Sequence, residues 1–116
     1  MEPNDLAPQF VRAASGGDLD ALVDLYEESA VLELPDGSHA IGRVAIRAFY
    51  AQMLAGAAGM TFDADAQRPA LVHGDLALTG MRIGADATAE VAHRQPDGSW
   101  RWVLDRPSTR GATTSA

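Results

Sequence analysis

Apolar residues in the first half of the chain recur every three or four positions, which is the spacing of amphipathic helices. Three such stripes predict three helices: one over residues 6–14, a second that carries Tyr26 on its apolar face, and a third that starts near Arg43. Gly56 is expected to end the third helix. A short predicted strand, 30–34, separates the second helix from a Pro-Asp-Gly turn.

The second half of the chain has the features of β-strands separated by glycine-containing turns. The predicted strands cover residues 61–72, 76–83, 87–95 and 99–106. Helices followed by antiparallel strands indicate an α+β fold with the helices on one face of the sheet. One domain, residues 1–107, accounts for all these elements, and the tail 108–116 is expected to be disordered because it has nothing to bury.

Composition narrows the classes of function. The 116 residues are 47% hydrophobic, which is enough for a core, and the absence of cysteine excludes disulfides, cysteine-bound zinc and a cysteine nucleophile. The net charge of -7 disfavours binding to nucleic acid, and because all nine basic residues are arginine no lysine Schiff base can form. Neither a signal peptide nor an apolar run long enough to span a membrane is present, so a cytoplasmic protein is expected.

Three segments of the chain resemble a known superfamily. They are SGGDLDALVDLYEESAVLELPDG, GRVAIRAFY and RQPDGSWRWVLDRP, and they resemble the SnoaL-like and ketosteroid-isomerase-like branch of the nuclear transport factor 2-like superfamily. The resemblance implies a cone-shaped α+β barrel, in which three N-terminal helices pack on a strongly curved antiparallel sheet around an apolar cavity. It also implies a homodimer formed through the convex face of the sheet.

The resemblance does not extend to the groups that ketosteroid isomerases use. Phe10 stands at the position of their tyrosine donor, and Leu34 stands at the position of their aspartate base. A phenyl ring cannot donate a hydrogen bond and a leucine cannot take a proton, so the dienol isomerase mechanism is not expected here. The third position, an aspartic acid on the sheet, falls near Glu90, and Tyr50 matches a supporting tyrosine.

Two carboxylates of the predicted sheet, Glu90 and Asp105, are the candidate catalytic residues. Glu90 could instead form a salt bridge with Arg82 across two strands, and Asp105 could instead accept backbone N–H groups at the end of its strand. Regular pairing across the Pro-Asp-Gly turn would place Asp105 opposite Ala89, on the other face of the sheet from Glu90. A slip of one residue would exchange these partners.

The residues expected to bind a ligand are mostly aromatic or aliphatic. They are Phe10, Tyr26, Leu34, Phe49, Tyr50, Met53, Arg82 and Trp102. The first hypothesis is a protein that binds an apolar small molecule in its cavity. The alternatives are an isomerase, cyclase or dehydratase that acts on a polyketide- or steroid-like substrate, and a dimeric interaction module with a vestigial cavity. No cofactor is implied, and the three histidines are too far apart in sequence for a metal-binding motif.

Overall fold

The structure is a computed structural model that describes residues 2–55 and 67–109. After a short 3-10 turn, Pro3–Asp5, the helices are α1 (Leu6–Ser15), α2 (Leu19–Val23) and α3 (Arg43–Ala55). The strands are β1 (Tyr26–Glu33), β2 (His39–Ile41), β3 (Leu71–His73), β4 (Leu76–Thr79), β5 (Arg82–Ile83), β6 (Asp86–Ala87), β7 (Ala89–Arg94) and β8 (Trp100–Arg106). The predicted helix end at Gly56, the predicted strand before residue 67 and the tail beyond residue 109 lie outside the described residues.

Six of the strands form one sheet in the order β2-β1-β8-β7-β4-β3, and β5 with β6 forms a separate two-stranded ribbon. The predicted α+β class, with three N-terminal helices on the sheet, is confirmed. The sheet is mixed rather than purely antiparallel, because β1 and the last strand, β8, run side by side in the same direction. In the part of the chain that the structure describes, the sheet remains open and does not close into a barrel.

The second helix is shorter than its apolar stripe predicts. It ends at Val23, and Tyr26 begins β1, so the placement of Tyr26 on a helix is wrong. Tyr26 pairs with Trp102 of β8, and the Trp102 N–H donates to the carbonyl oxygen of Leu25 at 2.8 Å. Pairing with a distant strand therefore overrides a helical pattern of only two turns.

The core lies between the helices and the concave face of the sheet. Its largest fully buried side chains are Tyr26, Leu6, Leu22, Leu32 and Ile46. They come from all three helices and from β1, so the predicted helical stripes do supply the core. Because β1 lies between β2 and β8 in the sheet, it is paired on both sides, and its buried residues pack against the helices.

A β-bulge in β8 changes which side chains face the core. Ala92 of β7 pairs with Trp102, but the next residue, Val91, pairs with Leu104, so that Val103 is the extra residue. One extra residue reverses the alternation of every side chain beyond it. Asp105 therefore lies opposite Glu90 on the concave face, and the predicted pairing of Asp105 with Ala89 is wrong.

A row of aliphatic residues crosses the convex face of the sheet from edge to edge. Each strand contributes one residue, and neighbours in the row are direct cross-strand partners. In spatial order they are Leu71, Leu78, Val91, Leu104, Val31 and Ile41. Four of them are exposed, with Leu71 at 70% and Leu78 at 48% marking the range. We call this set the convex row.

No helix within residues 2–55 and 67–109 is long and apolar enough to cross a membrane.

Candidate functional site

A cavity of about 490 Å³ opens between α1, α3 and the concave face of the sheet. This volume is in the range of pockets that hold small organic molecules. Its walls are mostly apolar, and Phe10, Phe49 and Trp102 form the aromatic part. Six polar residues also reach the cavity: Glu33, Tyr50, Thr88, Glu90, Asp105 and Ser108.

The aromatic wall is a set of edge-to-face contacts. The ring of Phe10 lies 5.6 Å from that of Tyr50 and 6.2 Å from that of Trp102, measured between ring centroids, and Phe49 lies 5.2 Å from Tyr50. Contacts of this geometry stabilise aromatic pairs beyond the burial of their surface. Phe10 is therefore a packing residue that fixes the position of Tyr50.

Asp105 is held at the cavity wall by a tyrosine from the core. The Tyr26 hydroxyl donates to Asp105 Oδ2 at 2.5 Å, and the same hydroxyl lies 3.0 Å from the hydroxyl of Tyr50. Tyr26 has no exposed surface, whereas Asp105 and Tyr50 both face the cavity. The bulge at Val103 is what brings Asp105 to this contact, because a regular strand would point it to the convex face.

Burial raises the pKa of Asp105 from its ordinary value of 3.8 to about 7, and the charge of Glu90 adds to the rise, while the Tyr26 hydrogen bond opposes it. Burial also raises the pKa of Glu90, although hydrogen bonds from Thr88 and Thr79 lower it in part. Two carboxylates that face each other across an antiparallel pair cannot both ionise freely. Burial and the charge of Glu90 therefore keep part of the Asp105 carboxyl protonated at neutral pH.

Threonines, and not the predicted arginine, hold Glu90. The Thr79 hydroxyl donates to Glu90 Oε1 at 2.8 Å and accepts a hydrogen bond from the Trp102 indole at 3.2 Å. Arg82 lies on the separate ribbon, exposed and opposite Ala87, so its predicted pairing with Glu90 is wrong, and it is not among the residues that line the cavity.

The predicted strand 76–83 breaks at Gly80, and this break explains the position of Arg82. A Cβ atom at Gly80 would lie 2.7 Å from the carbonyl oxygen of Thr88, a contact that real Cβ atoms do not make. The glycine lets the two chains approach closely, and the ribbon then leaves the plane of the sheet.

The structure brings most of the predicted site residues to one cavity, although their roles in binding or catalysis stay predictions. The predicted residues that line it are Phe10, Leu34, Phe49, Tyr50, Met53, Trp102, Glu90 and Asp105. Tyr26 lies behind the cavity wall, where its hydroxyl bonds to the wall residues Asp105 and Tyr50. Thr79 of β4 and Thr88, between β6 and β7, were not predicted as site residues, because a threonine among strand-forming residues carries no signal beyond β-propensity.

The segment after β8 forms part of the cavity mouth. Pro107 and Ser108 line it, the Ser108 hydroxyl donates to Asp86, and the Thr109 N–H donates to the carbonyl oxygen of Ala87 at 2.8 Å. Residues 108 and 109, the start of the predicted disordered tail, are thus attached to the ribbon. The rest of that tail lies outside the described residues.

Within the described ranges, 2–55 and 67–109, no group of three or more histidine and acidic side chains is arranged to hold a metal ion.

Solved structures with the same fold include proteins of several kinds. A candidate dehydratase of the NTF2-like family from Streptomyces avermitilis is 18% identical, with a TM-score of 0.71 over 87% of this chain and 89% of that one. A candidate ketosteroid isomerase from Shewanella frigidimarina is 12% identical, with a TM-score of 0.67 over 87% and 89%. An NTF2-like protein with a cystatin-like fold from Novosphingobium aromaticivorans is 23% identical, with a TM-score of 0.64 over 88% and 75%. At these identities the likeness shows the fold.

No curated protein matches the chain. The family model described as the SnoaL-like domain matches residues 7–112, which is nearly the whole chain. The chain therefore belongs to the family of SnoaL-like domains.

Proposed function

We propose that this protein is an acid–base enzyme, of the isomerase, cyclase or dehydratase type, that acts on a small and largely apolar molecule in its cavity. The observation that carries the proposal is the position of Asp105, which faces an apolar cavity beside Glu90 and is bonded to Tyr26. A carboxylate with a pKa of about 7 is suited to take and return a proton at neutral pH. Strongly shifted carboxyl groups in a cleft are typical of catalytic sites.

The reaction class follows from a single carboxylate acting as base and then as acid. Asp105 takes a proton from a carbon next to a carbonyl group; the C–H electron pair forms a C=C bond, and the carbonyl π pair moves onto the oxygen. In a β,γ-unsaturated ketone the oxygen pair then re-forms the C=O bond and the enolate C=C pair moves to the Cα–Cβ position. The pair of the original C=C bond takes the proton back from Asp105 at the γ-carbon, which completes an isomerisation. In a β-hydroxy ketone the C=O and Cα=Cβ bonds form in the same way while the Cβ–O bond breaks, and the departing hydroxyl takes the proton from Asp105 and leaves as water, which completes a dehydration.

The charge of the cavity restricts the substrate. Glu33, Glu90 and Asp105 are acidic, and among the described residues that line the cavity none is basic. An anionic substrate would meet like charges in a surrounding of low dielectric, which costs free energy. The proposed substrate therefore carries no carboxylate or phosphate group.

Binding without turnover is the second candidate. It is favoured by Phe10 and Leu34, which stand where ketosteroid isomerases have their donor and base. A carrier or sensor would use the same aromatic walls, and Asp105 would then only orient the ligand.

Exchange of α-protons distinguishes the two candidates. The uncharged bicyclic ketone 2-tetralone serves as the probe, and NMR follows the incorporation of deuterium in D₂O. We expect the wild-type protein to accelerate the exchange, and Asp105→Asn to lose about 100-fold of that acceleration because the base is removed. Asp97→Asn, in the exposed turn before β8, is the matched control and should exchange the α-protons of the probe as fast as wild type does.

An exchange rate in Asp105→Asn equal to that of wild type would refute the catalytic role. A small molecule retained through purification, without exchange of the probe, would support the second candidate.

We also propose that two copies of the chain associate through the convex row. The row extends over all six strands and leaves Leu71, Ile41, Leu78 and Leu104 about half exposed or more. Contiguous apolar surface of this kind usually marks a binding face. A symmetric dimer would bury the row against its own copy.

A further inference from the structure

Three side chains form a hydrogen-bonded chain whose two ends face the cavity while its middle is buried. Asp105 bonds to Tyr26, and Tyr26 bonds to Tyr50. The Tyr26 side chain has no exposed surface and is not part of the cavity wall. The wall positions of Asp105 and Tyr50 are thus connected through a residue that no ligand in the cavity can touch.

The number of protons on Asp105, Tyr26 and Tyr50 limits which hydrogen bonds each hydroxyl can donate. A phenol has one proton to donate and accepts with its oxygen, whereas an ionised carboxylate only accepts. When Asp105 is ionised, the single proton of Tyr26 goes to Asp105 in a charge-assisted bond. The bond between the two tyrosines must then use the proton of Tyr50. Tyr50 has no proton left for the cavity and presents only acceptor lone pairs there.

Protonation of Asp105 on Oδ2 removes this constraint. The carboxylic acid can donate to Tyr26, Tyr26 can donate to Tyr50, and the Tyr50 proton becomes free to point into the cavity. Burial raises the pKa of both phenols, so both keep their protons across the neutral range. Of the three side chains only Asp105 changes its charge in this range, and that charge sets the direction in which the two hydrogen bonds point.

We propose that the charge on Asp105 decides whether Tyr50 offers a ligand an acceptor or a donor, and that Tyr26 is the positioning residue that transmits the change. This deepens the proposed function, on which it rests, by assigning the ligand chemistry at Tyr50. The ionised form selects a hydroxyl or amine group of the ligand, and the protonated form selects a carbonyl oxygen. When Asp105 takes a proton from a ketone substrate and holds it on Oδ2, the donor form of Tyr50 faces the enolate oxygen that develops.

The titratable groups around Asp105 come from two strands and one helix. Glu90 of β7 faces it directly, Tyr26 of β1 and Tyr50 of α3 form the chain, and Glu33 of β1 lines the same cavity. Glu33 is paired with Arg106 at 3.3 Å, so its charge is partly offset. Because the charge of Glu90 raises the pKa of Asp105, the midpoint that an experiment measures includes the effect of Glu90.

Tyrosine labelling tests the proposal without substrate or turnover, so its failure is distinguishable from failure of the proposed function. The chain has only two tyrosines, and ¹³Cζ-tyrosine therefore gives two NMR signals. We expect both signals to shift with pH around a common midpoint near the Asp105 pKa of about 7. The Tyr50 signal should move because its proton leaves Tyr26 for the cavity.

Two variants separate transmission through Tyr26 from a direct effect of the carboxylate field. Tyr26→Phe keeps the ring but removes the hydroxyl, and most of the Tyr50 shift should be lost. Asp105→Asn should abolish the shift of both signals. A Tyr50 signal that titrates equally in Tyr26→Phe would overturn the proposal, because the field alone would then explain it. If Tyr26→Phe does not fold, the unmodified protein still decides against the proposal when Tyr50 fails to titrate at the midpoint of Tyr26.

Discussion

Replacing Asp105 by asparagine should make the stability of the protein less sensitive to rising pH. The raised pKa of Asp105 means that the folded chain holds a proton which the unfolded chain releases near its ordinary value of 3.8. Between that value and about 7 the folded state binds more protons than the unfolded state, so the free energy of unfolding falls as the pH rises through this window. The free energy of unfolding is lowered by the full amount only above the pKa that Asp105 has in the folded state.

The size of the effect follows from the shift. A rise from 3.8 to about 7 corresponds to about 4 kcal/mol in total. Integration of the linkage relation gives about 3 kcal/mol for the part that lies between pH 5 and pH 8.5. The amide of the variant has nearly the same shape and can still accept the Tyr26 hydrogen bond, so this part of the pH dependence should disappear without loss of packing.

Urea denaturation at the two pH values measures the difference. We expect wild type to lose about 3 kcal/mol more than Asp105→Asn between pH 5 and pH 8.5. Asp97→Asn is the control, since hydrogen bonds from Ser99 lower the pKa of Asp97 and its titration is complete below pH 5. Equal pH dependence in wild type and Asp105→Asn would refute the raised pKa, and with it the main support for an acid–base role.

Three further substitutions test other parts of the structure. Thr79→Val removes the hydroxyl that donates to buried Glu90, and should lower the free energy of unfolding by about 2 kcal/mol in urea, whereas Thr79→Ser should recover most of it. Gly80→Ala places a Cβ atom 2.7 Å from the Thr88 carbonyl oxygen, and should lower the free energy of unfolding by at least about 1 kcal/mol; an unchanged melting temperature would contradict the close approach. Leu78→Arg places a charge in the middle of the convex row and should shift a dimer to monomer in sedimentation, while exchange of 2-tetralone stays unchanged.

The parts of the fold that the sequence predicted correctly depend on local signals. Helix α1 agrees with its apolar spacing, and Gly17, with a φ of 67°, ends it as a glycine must. The turn before β8 agrees with its Pro-Asp-Gly sequence, and Gly98 has a φ of 86°. In each case neighbouring residues determine the conformation, so no knowledge of distant partners is needed.

The parts that were missed depend on contacts between distant residues. Tyr26 has a helical spacing from Leu19 and Leu22, yet its pairing with Trp102 makes it part of a strand. The bulge at Val103 leaves one weak trace in the sequence, a run of three apolar residues from Trp102 to Leu104 where strict alternation would require a polar one. The two candidate carboxylates could be named from the sequence, but their meeting on one face could not.

That meeting depends on a single extra residue. Without Val103 as a bulge, Asp105 would point to the convex face, where its carboxylate would be hydrated and its pKa would not be raised by burial. With the bulge, Asp105 enters a cavity where burial and Glu90 oppose its charge, and the folded state loses stability whenever it ionises. A buried carboxylate opposite a second one is unfavourable for folding, and asparagine would fit the same hydrogen bond to Tyr26. Stability alone does not account for the arrangement, because an uncharged residue would fill a purely structural role better, and this supports the proposed proton transfer in the cavity.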